Sequence, residues 1–251
     1  MPQLAVFLDD GGVMNDNNVR RLQWQGMVGE FIAPALGGSP EMWAMANPQV
    51  MGAIQESLSW QARLQAFADA DYESFERAYY LDWLGGMCAI VGVSLPPEEE
   101  SIDLARRATA WIIPQVRSAF PGAVETIRLL HDEGHALHTA SGESSADLAL
   151  YLGGMGVRAC FSRLYGPDLI GTFKVGPEFY ERIMSDAGVA PADAVLVDDN
   201  PDCVRWAVQA GARGVLVGSP QAPQGSERVE TISSLAELPG LIGRAATKSS
   251  C

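Results

Sequence analysis

Residues 4–8, LAVFL, form a short apolar run with no helical period, and the run breaks on two acids and two glycines, DDGG. A run of this kind predicts a strand buried on both faces, as in a parallel sheet, with a loop at its carboxyl end. From 17 to 117 the apolar spacing shifts to intervals of three and four. RRLQWQGMVGEFIAPAL, PEMWAMANPQVMGAIQESL, DYESFERAYYLDWLGGM and PPEEESIDLARRATAWIIPQV predict helices. After FPG at 120–122, helical and extended segments alternate. AVETIRLLHDEG predicts a helix stopped at Gly134, HALHTA a strand, and SSADLALYLGGMG and PEFYERIMSDAG two helices. AVLVDD then predicts a strand, PDCVRWAVQAG a helix and GVLVG a strand, followed by a surface loop over SPQAPQGSERVE and a closing helical turn over SSLAELPGLIG.

This alternation is that of a parallel sheet covered by helices, so the expected fold is α/β: a Rossmann-like three-layer α/β/α core. The first strand meets no helical partner until after residue 117. The helical stretch is therefore expected to be an inserted cap domain, 17–117, within a catalytic core made of 1–16 and 118–251. Trp24, Trp43, Trp60, Trp83 and Trp111 all fall in the insertion and are expected to form its core rather than a substrate-facing wall.

Charge narrows the partners. The chain carries 31 acids against 17 bases, a formal charge of −14, which argues against nucleic acid and anionic membrane as ligands. Lys174 and Lys248 are its two lysines, Lys248 in a polar C-terminal stretch. Cys88, Cys160, Cys203 and Cys251 have neither zinc-ligand nor disulfide-framework spacing. The N-terminus lacks the basic and long apolar segments of a signal peptide, and no stretch of about 18 apolar residues occurs. A cytoplasmic protein is the expectation.

Four loop sites stand beside predicted strands: Asp9 with Asp10, Ser141 in HTASGES, Lys174 in GTFKVGPEFY, and Asp198 with Asp199 in AVLVDDNPD. In this order they resemble the four motifs of the haloacid dehalogenase superfamily of hydrolases, over the first strand and residues 118–218, with the insertion similar to that family's helical C1 cap. The resemblance implies that Asp9 is the nucleophile, that Ser141, Gly142 and Lys174 hold the oxygens of a small phosphorylated substrate, and that Asp9, Asp198, Asp199 and the Gly11 carbonyl bind Mg²⁺. Arg20 and Arg21 begin the first cap helix, where they either reach toward an anionic substrate or face solvent. A divalent cation suits this set, because a carboxylate attacking a phosphate must be screened from the anion it approaches.

The family's usual first motif is DxDGT or DxDGV, whose second acid protonates the leaving group. Aligning Asp10 with that second acid would put Leu8 at the nucleophile, so Asp9 is taken as the first acid and the motif reads DxGGV, with Gly11 where the general acid belongs. Asp10 and Asp16 are candidate proton carriers, Asp10 also fitting a structural hydrogen-bonding role. Three readings stand: a Mg²⁺-dependent phosphatase working through an aspartyl-phosphate, a metal-free haloacid dehalogenase using the same Asp9, and a phosphate-ligand binder without turnover. The paired acids at 198–199 favour the first, since dehalogenases of the superfamily work without metal. Phosphonate cleavage through a cap lysine is close to excluded, because 17–117 contains no lysine. His131, His135 and His138 are expected to be structural, and Cys203 is a poor Mg²⁺ ligand.

Overall fold

The apolar runs become a sheet of parallel strands in the order β3-β2-β1-β4-β5-β6. The strands are β1 (Ala5–Leu8), β2 (Ala136–Ala140), β3 (Phe161–Tyr165), β4 (Ala194–Asp198), β5 (Arg213–Val217) and β6 (Val229–Ile232). The protein is seen here as a computed structural model that describes residues 3–57, 64, 67, 71–218 and 229–248. It divides into two compact units, one of residues 1–17 with 118–251 and one of residues 18–117.

In the first unit, alternation along each strand sends side chains to opposite faces of the sheet. Val6 and Leu8 of β1 and Val195 and Val197 of β4 join one cluster with Ile127 and Leu130 of α5 (Ala123–Asp132), Leu148 and Leu152 of α6 (Ser145–Gly154), and Leu238, Leu241 and Ile242 around the start of α10 (Leu238–Lys248). Ala5 and Phe7, with Ala194 and Leu196, join the other cluster, with Phe179, Tyr180 and Ile183 of α8 (Pro177–Ala187) and Cys203 and Ala207 of α9 (Pro201–Gln209). The three-layer α/β/α core follows. A short helix, α7 (Pro167–Ile170), precedes the segment that carries Lys174.

Two strands depart from the sequence expectation. FSRLY is strand β3, a segment for which alternation of apolar runs predicts no element. VE, at the end of the expected surface loop, opens β6; residues 219–228 of that loop lie outside the described residues. Both are edge strands. An edge strand has one unpaired side and tolerates polar residues, so Ser162 and Arg163 are exposed and Glu230 and Thr231 half-buried, and the uninterrupted apolar signature is lost. The expected closing turn is likewise longer, running as α10 to Lys248.

The second unit is helical. It holds α1 (Asn17–Leu36, from its second residue onward), α2 (Pro40–Ser57), α3 (Tyr72–Val91) and α4 (Glu98–Ile112). Asp71 caps α3 by accepting from the Ser74 N–H, and Gly92 ends it in the left-handed region. Trp43 and Trp83 are buried, their indole N–H groups donating at 2.8 Å to the Gly37 carbonyl and to Asn47 Oδ1. Those two rings are core, whereas Trp111 is 39% exposed and tilts against Phe31. Trp60 lies outside the described residues.

Candidate active site

The site begins with register. β1 and β4 pair in parallel with Leu8 opposite Val197, and the Asp9 N–H donates to the Val197 carbonyl at 3.0 Å. One step further puts Asp9 beside Asp198. Asp9 continues the Ala5–Phe7 face and Asp198 the Ala194–Leu196 face, so period-two alternation aims both carboxylates at the same side of the sheet. That side is covered by α8, and the segment leading into it delivers Lys174. The ammonium lies 2.9 Å from Asp9 Oδ1 and 2.6 Å from Asp198 Oδ2. Asp198 Oδ1 meanwhile accepts the Asn200 N–H at 2.9 Å, and Asn200 caps α9.

Asp199 completes the acid group. Asp9, Asp198 and Asp199 each offer an oxygen, the three within 4.8 Å of one another. Asp199 comes this close because it rests over Gly12, whose φ of 81° is in the left-handed region; a β-carbon there would stand 2.0 Å from Asp199 Oδ2.

Three carboxylates share one ammonium. Burial by itself would lower the Lys174 pKa, but Asp198 and Asp9 more than reverse this and hold it well above the usual lysine range. Burial and then the like charge of Asp9 push Asp198 up to about 7 against the attraction of Lys174. Asp199 is raised by burial and then by Asp9. The centre carries more negative charge than its protein groups neutralise, which suits a divalent cation with oxygen ligands. Cys203 and Tyr180 sit against Lys174; burial pushes the thiol up to about 12 and the phenol well above its ordinary value, so both are neutral.

Ser141 follows β2, whose Thr139 is opposite Leu8, so it flanks the same carboxyl edge of the sheet. It is buried, and its hydroxyl accepts the Glu143 N–H at 3.3 Å; no hydrogen bond joins it to Asp9 or Lys174 among the described residues. Gly142 beside it is exposed. Gly11 sits half-buried in the turn after β1, where its neighbour's N–H, that of Gly12, donates to the Asn15 carbonyl at 2.8 Å. Arg20 lies on α1 in the helical unit and is buried.

Asp10 stands elsewhere. It is fully buried, its Oδ1 accepts from the Asn15 amide at 2.7 Å, and its carbonyl accepts from the N–H groups of Met14 and Asn15. Asn15 also lies 3.4 Å from Met155 Sδ, on the α5–α6 side of the sheet, opposite the side that Asp9 faces. These bonds tie Asp10 into the framework of the loop. The sequence pattern singles out Asp10 and Asp16 in this loop and not Asn15, the clamp; its signal was an Asn following a buried apolar pair, Val13 and Met14.

Three acids and a lysine gathered at the carboxyl ends of parallel strands are a set that suits a hydrolase. The sequence model of the haloacid dehalogenase-like hydrolases matches residues 43–211, well over half of the chain, and the chain belongs to that family. The match takes in Ser141, Lys174, Asp198 and Asp199 and begins after Asp9.

A curated relative, the "Probable phosphatase IndB" of Dickeya dadantii (strain 3937), is 29% identical over 131 residues, which are 50% of this chain and 57% of that protein. Solved structures share the fold. The L-2-haloacid dehalogenase from Xanthobacter autotrophicus superposes with TM-score 0.62 at 18% identity, covering 96% of this chain and 98% of that one. The HAD phosphatase from Thermococcus onnurineus gives 0.59 at 20%, with 96% and 98% covered. The putative HAD-hydrolase YfnB from Bacillus subtilis, bound to magnesium, gives 0.63 at 12%, with 96% and 99% covered. Among the described residues no helix is long and apolar enough to cross a membrane.

Proposed function

We infer that the protein is a Mg²⁺-dependent phosphatase of a small phosphate monoester, with Asp9 as nucleophile. The observation that carries this reading is the cluster of three carboxylate oxygens within 4.8 Å, paired with a single lysine that offsets only part of their charge. Metal-free dehalogenation would leave Asp199 as an uncompensated charge beside Asp9, with no task. Asp9, Asp199, Asp198 and the Gly11 carbonyl would hold the cation, which when bound screens the attacking carboxylate from the substrate's anionic oxygens.

The chain's own residues do the rest. An Asp9 oxygen attacks phosphorus, and Lys174, locked in its charged form, holds a non-bridging oxygen and keeps Asp9 aimed. Ser141 exchanges its Glu143 contact for a substrate oxygen, and the exposed main chain at Gly142 lies beside it. The aspartyl-phosphate is then hydrolysed by water. The metal-free dehalogenase reading keeps one point in its favour: Gly11 supplies no leaving-group acid, and halide needs none.

Phosphate release and halide release should be followed in parallel, with Mg²⁺ and with chelator, on phosphate esters and 2-haloacids. Phosphate release abolished by chelation supports the phosphatase. Halide release indifferent to chelator sinks it, and ligand-dependent thermal stabilisation without turnover establishes a binder instead.

A further inference from the structure

Gly11 stands two residues beyond Asp9 and has no side chain to offer. A β-carbon built on Gly11 would lie 2.5 Å from Asn17 Oδ1, 2.9 Å from its Nδ2 and 3.1 Å from its Cγ. Bond lengths of about 1.5 and 1.2 Å place an aspartate's carboxylate oxygens about 2.4 Å from its own β-carbon. The Asn17 carboxamide thus lies within reach of the space that the side chain of an acid at position 11 would enter. It reaches that place from the opposite end of the turn, as the first residue of α1, and it belongs to the same compact unit as Asp9. Asn17 is exposed, and its carboxamide has no hydrogen-bond partner among the described residues, so both amide protons are available to a ligand.

We propose that Asn17 takes the station of the missing general acid and contacts the leaving-group oxygen, restricting the site to phosphates whose leaving group departs as a stable anion: acyl, enol and aryl phosphates rather than alkyl esters. This rests on the phosphatase reading. A carboxamide donates hydrogen bonds but releases no proton near neutrality.

The chemistry closes without an acid. An Asp9 oxygen bonds to phosphorus as the bond from phosphorus to the leaving oxygen breaks, and the electron pair departs on that oxygen. Its charge is met by the Asn17 N–H with no proton transferred, giving a carboxylate, enolate or phenolate product. Water then bonds to the phosphorus of the aspartyl-phosphate, the pair of the broken P–O bond returns to the Asp9 carboxylate, and the water proton stays with the phosphate or passes to solvent. Alkyl alcohols leave poorly as anions, and a positioned acid is typically worth about 10²- to 10⁴-fold in rate, so their turnover here falls by that order.

The test is a leaving-group series of acetyl, 4-nitrophenyl, phenyl and ethyl phosphate, with wild type, Asn17→Ala and Asn17→Asp. Wild type should turn over acetyl phosphate at least about 100-fold faster than ethyl phosphate. Asn17→Ala should slow phenyl phosphate about tenfold, the worth of one hydrogen bond, while acetyl phosphate changes little. Asn17→Asp, nearly isosteric and expected to fold if the alanine variant does not, places an ionisable acid at the station and should gain ethyl phosphate turnover. Ethyl phosphate hydrolysed by wild type as fast as acetyl phosphate overturns the inference, as does a slowing by Asn17→Ala that is equal for all four esters. Absence of phosphate release from every ester, acetyl phosphate included, refutes the phosphatase reading and this inference with it.

Discussion

The Asn15 carboxamide donates to the Asp10 carboxylate at 2.7 Å, and that bond fixes the turn from which Asp9 projects. Asn15 is buried and in turn accepts from the Ser118 hydroxyl at 2.9 Å. Asn15→Ala strips a buried carboxylate of this donor, which typically costs about 2 to 3 kcal/mol. The urea midpoint should fall accordingly, and a shift worth under about 0.5 kcal/mol would refute the clamp.

Lys174 separates two acids that register forces together. Lys174→Met leaves Asp9 and Asp198 facing each other and should cost about 3 kcal/mol. A carboxyl whose folded pKa is raised contributes stability that is lost as pH rises, and Asp198 stands near 7 even with the lysine present. The penalty should therefore grow from pH 5 to pH 8. Denaturant titrations at both pH values that give equal penalties would contradict the arrangement.

Asp9→Asn removes the attacking oxygen's charge and should abolish turnover while the variant stays folded by circular dichroism. Undiminished activity would place the nucleophile elsewhere in the chain.

Mg²⁺ should stabilise the folded protein. At a concentration about 100 times its dissociation constant the gain is about 2.7 kcal/mol, visible as a raised melting temperature that chelator reverses. Gly12→Ala should weaken this response, because its β-carbon would meet Asp199 at 2.0 Å in a backbone region that already disfavours alanine. A full Mg²⁺ response in that variant would free Asp199 from the metal role.

His138 stacks between Phe7 and Tyr165, is buried, and has no partner for Nδ1 among the described residues. Burial, then the charge of Arg163, lowers its pKa to about 4. A histidine depressed in the folded state stabilises fully above the unfolded value and loses that contribution as pH falls toward 4. With residual solvation discounted, about 2 kcal/mol should disappear between pH 6.5 and pH 4. His138→Phe keeps the stack and should flatten stability over that interval; a slope unchanged from wild type would assign the acid lability to other groups.

The interior strands could be read from sequence because burial on both faces leaves an uninterrupted apolar run, as in AVFL and AVLV. The edge strands FSRLY and VETI could not, because one unpaired side admits Ser162, Arg163 and Glu230. The acids were found through their position after strands, and Lys174 through its place in the order of the four loop motifs. Their convergence follows from the β1–β4 register and alternation, which chain order alone does not give. Asn15 and Asn17 escaped notice because asparagine before a helix has an ordinary use as a turn former, and only the space at Gly11 and the buried Asp10 carboxylate give them particular work.

The chain leaves the core and re-enters it side by side: the Asp16 N–H donates to the Ser118 carbonyl at 2.7 Å, and Asn15 pairs antiparallel with Ala119. β1 must nevertheless find β2 across more than 120 residues of sequence. Once the helical insertion has collapsed on itself, the two stems are held close and the effective loop shrinks to a few residues, with closure entropy reduced accordingly. Folding of the insertion thus shortens the search by which the strand before Asp9 docks, and destabilising changes in the helical unit should register as slower refolding of the sheet.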